Sequence, residues 1–96
     1  MAKYILLVNW TDQGVKAVKD SPRRLDAARK LAEGAGAKLG DFYMTMGGYD
    51  MVVHLEAPDD AAVAKFVLDL AGAGNVRTQT LKAFSEDEYR KILGGL

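Results

Sequence analysis

The run Ile5-Leu6-Leu7-Val8 is apolar at every position. Successive side chains of a strand point to opposite faces, so a strand with one face in water alternates. A strand that does not alternate needs cover on both sides. The rest of the chain must supply that cover, and its text limits how. Lys3 to Trp10 reads as the strand itself. Thr11 is placed as N-cap of a short helical turn carrying Val15 and Val18. Asp20-Ser21-Pro22 then opens a helix, with Ser21 as cap and Pro22 in the first turn. Leu25, Ala28, Ala32 and Ala35 fall on one side of it, and Gly34 and Gly36 end it.

Lys38 to Met46 reads as a second strand, Gly47-Gly48 as a turn, and Asp50 to Ala57 as a third strand. Pro58-Asp59-Asp60 starts a second helix with Val63, Phe66, Val67 and Leu70 on its apolar side. Gly72 and Gly74 stop it, and Asn75 to Phe84 is a fourth strand. Ser85-Glu86-Asp87-Glu88 is a capping box for a last helix lined by Tyr89, Ile92, Leu93 and Leu96. The order is β-α-β-β-α-β plus a C-terminal helix. It predicts an α+β, ferredoxin-like sandwich with a four-stranded antiparallel sheet, one domain over residues 1–96.

Right-handed crossovers put both long helices on one face of that sheet. Alternation sends Met51, Val53 and Leu55 toward the helices, and Asp50, Val52, His54 and Glu56 toward the bare face. On the second strand Phe42, Met44 and Met46 are expected in the core, with Tyr43 and Thr45 opposite. The bare face thus combines aliphatic side chains from the first strand with ionisable ones from the third. A second copy packed sheet to sheet covers it most simply, forming a dimeric α/β barrel around a cleft. The expected partner is the chain itself, as a homodimer or larger homo-oligomer.

Gly48-Tyr49-Asp50 resembles the motif that names the GYD-domain family. Asn9-Trp10-Thr11-Asp12-Gln13-Gly14, Lys19-Asp20-Ser21-Pro22 and Gly74-Asn75-Val76-Arg77-Thr78 resemble that family's text in the same order. The resemblance implies the plan of the dimeric α/β-barrel proteins, which include small monooxygenases, isomerases and haem-handling enzymes. It implies a fold and not an activity, since one fold hosts many functions.

Several chemistries are excluded. The chain has no cysteine, so disulfides, thiol nucleophiles and thiolate-bound zinc are out. Thirteen basic residues balance thirteen acidic ones, leaving no electrostatic footprint for nucleic acid. RNA recognition on the third strand would also set Asp50 and Glu56 against phosphate. No apolar run suffices for a membrane span, and the expected location is cytoplasmic. One histidine per chain argues against a metal site. No phosphate loop is present, because Gly34 and Gly36 close a helix rather than open one. Haem is not expected either: the resemblance to haem-degrading barrel proteins would need the histidine on a helix, and His54 lies on a strand. No cofactor is expected.

Two functions remain open. In the first, a small molecule binds in the barrel cleft, and the protein is a cofactor-independent enzyme of monooxygenase or isomerase type. His54 would be its base, oriented by Asp50. Asn9, Tyr43, Tyr49, Arg77 and Thr78 would hold an oxygen-rich ligand. Against this stand structural readings of the same residues: a hairpin turn for Gly47 to Asp50, an interface histidine for His54, core packing for Trp10, and a charged edge residue for Arg77. In the second, the chain is a non-catalytic, self-associating interaction module whose polar residues set the register of association.

Overall fold

The computed structural model describes residues 1–96. Strand β1 (Ala2–Trp10) is followed by a one-turn helix α1 (Asp12–Lys16), a 3₁₀ turn (Val18–Asp20) and helix α2 (Ser21–Gly34). Strands β2 (Lys38–Met44) and β3 (Met51–Ala57), helix α3 (Asp60–Gly72), strand β4 (Val76–Ala83) and helix α4 (Glu86–Gly94) complete the chain. The strands lie in the order β2-β3-β1-β4, all antiparallel. This is the ferredoxin-like arrangement, with the doubly apolar strand near its centre.

The core lies between the sheet and α2 and α3. Tyr4, Leu6 and Val8 from β1 and Met51, Val53, Leu55 and Ala57 from β3 are buried there, against Ala28 and Ala32 of α2 and Val63 and Phe66 of α3. Phe66 has no exposed surface, and burying such a ring stabilises the fold by about 2–3 kcal/mol. The other face of the sheet carries no helix. Its rows follow from the register: Leu81, Ile5 and His54 in one, then Gln79, Leu7, Val52 and Tyr43, then Arg77 beside Asn9.

The caps follow the sequence closely. Thr11 Oγ1 accepts from the Gly14 N–H at 3.1 Å, Asp59 Oδ1 from the Ala62 N–H at 2.9 Å, and Ser85 and Glu88 form the reciprocal capping box. Ser21 is the first residue of α2 rather than its cap, and Asp20 precedes it without a side-chain cap bond.

One expectation about packing fails. Met44 and Met46 do not enter the core; they are 67% and 93% exposed. β2 carries a bulge between Leu39 and Phe42. The extra residue lets Leu39 and Phe42 face the same side although they are three apart, so strict alternation cannot be carried along this strand. Both methionines follow the bulge with the parity of Phe42, Met44 opposite Met51, but they fall at or past the end of β2. Helix α4 forms its capping box as expected, and none of its residues is buried.

Candidate functional site

Three segments far apart in the sequence meet at one end of the sheet. Asn9 is the hub. Its Oδ1 accepts from the Asp50 N–H at 2.8 Å, and its Nδ2 donates to the Gly48 carbonyl at 3.3 Å. The Asp50 N–H also donates to the Val8 carbonyl at 3.0 Å, and the Trp10 N–H donates to Asp50 Oδ2 at 3.0 Å. Next to this junction, the Thr11 N–H donates to the Asn75 carbonyl at 3.0 Å and its hydroxyl to the Gly74 carbonyl at 2.6 Å. Gln13 Nε2 donates to the Ala73 carbonyl and to Asn75 Oδ1. Gly74 has a φ of 85°, a conformation that side chains avoid, and that sharp turn presents its carbonyl to Thr11. Gly48-Tyr49-Asp50, Asn9 to Gly14 and Gly74-Asn75 are therefore parts of one latch.

The latch decides several assignments. Asp50 does not orient His54. Its carboxylate is spent on the Trp10 backbone, four residues and about 13 Å along the strand from the histidine. The carboxylate nearest the imidazole belongs to Asp41 in the β2 bulge, with Oδ2 3.8 Å from His54 Nδ1. Antiparallel register carried back from Tyr43 opposite Val52 sets Asp41 across from His54, on the same face. The Tyr43 ring stands edge-on to the imidazole, with centroids 6.2 Å apart. Tyr49 reaches over β1, and its hydroxyl donates to Gln79 Oε1 on β4 at 2.7 Å.

Asn9 lies on the helix-free face, and Trp10 packs on the core side. Arg77 pairs with Asn9 on the helix-free face, whereas Thr78 pairs with Val8 on the helix side. Arg77 and Thr78 thus point to opposite faces and cannot hold one ligand together. His54, Tyr43, Asn9, Tyr49 and Arg77 do share a face. Within it, Asp41, His54 and Tyr43 form one group, and Asn9, Tyr49 and Arg77 another.

A polar cluster that sequence reading missed lies on the helix side. The Tyr4 hydroxyl donates to Asp60 Oδ1, and Lys82 Nζ stands 3.2 Å from the same oxygen and 5.0 Å from the centre of the Tyr4 ring. The hydrogen bond from Tyr4, then that from Lys82, holds the Asp60 carboxyl below its usual range. The same bond to Asp60 raises the Tyr4 phenol and, on its side, the Lys82 ammonium. A carboxyl lowered in the folded state contributes stability above the ordinary aspartate pKa, and loses it as pH falls through the lowered value. Tyr4→Phe removes the leading cause. The Asp60 titration, followed by carboxyl carbon NMR, is expected to move up toward the ordinary range. The loss of stability between about pH 5 and pH 2 becomes shallower in that variant.

Comparison with known proteins agrees with this fold. The family model described as the GYD domain matches residues 4–93. A Thermus thermophilus protein named "Glutamine synthetase and cystathionine beta-lyase binding protein" is 36% identical over 84 residues, spanning 86% of this chain and 88% of that one. Among solved structures, MtbAldR superposes with a TM-score of 0.68 at 17% identity, over 88% of this chain and 52% of that one. This chain thus spans about half of that protein. TTHA0845 of Thermus thermophilus superposes with a TM-score of 0.57 at 21% identity, over 88% of this chain and 95% of that one. The two structural likenesses support the fold alone. No helix of the chain is long and apolar enough to cross a membrane.

Proposed function

The chain belongs to the GYD-domain family, and from that premise we propose that it is a self-associating module that binds other proteins. One observation carries the reading: α4 is amphipathic, yet none of its residues is buried against its own chain. Phe84, Ile92 and Leu93 stay 58%, 51% and 45% exposed. A capped helix with a bare apolar side is stabilised by a partner, because most helical stability comes from packing such a side. The helix starts beside the helix-free sheet face, where Lys3 Nζ lies 4.0 Å from Glu88 Oε1 and 3.9 Å from Glu56 Oε1. Ile5, Leu7, Val52 and Leu81 give that face its apolar centre. In this reading the sheet face takes a second copy of the chain, and the assembled dimer offers α4 to a client enzyme. The name of the Thermus relative supports clients of that kind.

The test mixes the purified chain with glutamine synthetase and with cystathionine β-lyase of its own organism, followed by sedimentation velocity. Co-migration with either enzyme is expected, and Ile92→Asp should abolish it while leaving self-association intact. Failure to bind both enzymes would refute the client part of the reading.

A second reading is favoured by the Asp41–His54–Tyr43 group. Here the cleft between two sheets holds a small molecule, with His54 as base, and the protein is a cofactor-independent enzyme. Native mass spectrometry of protein taken from its own source separates the two. A retained small molecule that is lost on His54→Ala would favour this second reading over the first.

A further inference from the structure

Between the sheet and the two long helices lies an apolar cavity of about 70 Å³, partly open to solvent. It exists because α2 presents alanine there. Ala28 is buried at its wall, while Phe42, Phe66 and Val76 close it from β2, α3 and β4. Trp10, the only tryptophan of the chain, lines it from the end of β1.

The indole Nε1 of Trp10 is buried and has no hydrogen-bond partner. An indole N–H is a donor only. Buried donors are almost always paired, because the bond to water lost on folding has to be replaced. A single water would be held here only at the low end of its needs, by the indole and the Ser21 hydroxyl. It needs two to four polar partners, and the only other polar residues along this wall are Ser21 and Arg24. Arg24 is committed elsewhere, donating to the carbonyls of Ala17 at 3.0 Å and Gly14 at 3.1 Å. An apolar molecule with one acceptor answers both features, filling the volume and pairing the indole.

We propose that this cavity is a binding site for a small apolar molecule carrying a single hydrogen-bond acceptor, such as a ketone or ether oxygen, set against the Trp10 indole N–H. The site lies across the sheet from His54 and from the face assigned to a second copy. It stands or falls independently of the function proposed above.

The lone tryptophan gives one indole signal in a proton–nitrogen NMR spectrum, so the test reads the proposed donor directly. Cyclopentanone is titrated into the full chain, and methylenecyclopentane, in which a CH₂ replaces the carbonyl oxygen, serves as control. The ketone is expected to move the indole proton downfield to saturation. The hydrocarbon is expected to produce no such downfield shift. In Trp10→Phe, followed through the methyl signals of Leu70 and Val76, ketone affinity should fall roughly tenfold, the value of one hydrogen bond. Absence of saturation with the ketone, saturation without the downfield indole shift, or unchanged ketone affinity in Trp10→Phe would each overturn the proposal.

Discussion

Gly14→Ala is expected to destabilise the fold by about 2–3 kcal/mol, the scale of forced overpacking in a filled site. Gly14 is buried, and a methyl group there would run into the Asn75 carbonyl. That carbonyl cannot simply withdraw, because it accepts the Thr11 N–H at 3.0 Å. Moving it also strains the Gln13–Asn75 bond and the Thr11 hydroxyl on Gly74. Urea unfolding measures the cost. With a slope of about 1 kcal/mol/M, the midpoint should fall by about 2–3 M. Gly34→Ala is the control: a methyl group there meets nothing within 4 Å, so the same change should be neutral or stabilising. Equal midpoints for the two variants would remove the latch from the account of stability.

Leu81→Asp is expected to turn an oligomer into a monomer at micromolar concentration. Leu81 heads the row that runs through Ile5 to His54 on the helix-free face. It is 40% exposed in the single chain, so an aspartate there stays hydrated and the fold survives. Against a second sheet the same carboxylate would be buried without a cation. An unpaired buried charge costs about 3–5 kcal/mol, which weakens association more than about a hundredfold. Analytical ultracentrifugation of parent and variant, with circular dichroism to show an unchanged fold, decides the matter. A parent chain that sediments as a monomer would rule out the sheet-to-sheet pairing.

Much of the architecture is legible in the sequence because it follows from short-range periodicity. The alternation Met51-Val53-Leu55, the cap at Thr11 and the capping box at Ser85 each need only a few neighbouring residues. The unbroken run in β1 also points to a bare second face. What is not legible depends on contacts between distant residues. Met44 and Met46 keep the core-side parity of Phe42 but lie at or past the end of β2, and Asp41 is found opposite His54 only once β2 and β3 are set in register. Asp50 carries the expected face label, but its carboxylate is taken up by the backbone N–H of Trp10, far earlier in the chain. The Tyr4–Asp60–Lys82 cluster joins three elements whose letters show no pattern in common. The unpaired indole of Trp10 is invisible until its surroundings are built.

The position of β1 has a consequence for how the chain is made. This strand is made before the other three, yet it is flanked by β3 and β4, and Lys3 finds its β4 partner only at Ala83. Its most apolar segment therefore waits, with one hydrogen-bonding edge open, until β4 has been synthesised. Pairings between such distant residues form slowly, and exposed edges of this kind invite aggregation during the wait. The short latch between Asn9–Gly14 and Gly74–Asn75 is well placed to end it. By fixing the start of β4 against the end of β1, it converts the last pairing from a search through the whole chain into the closing of a zipper.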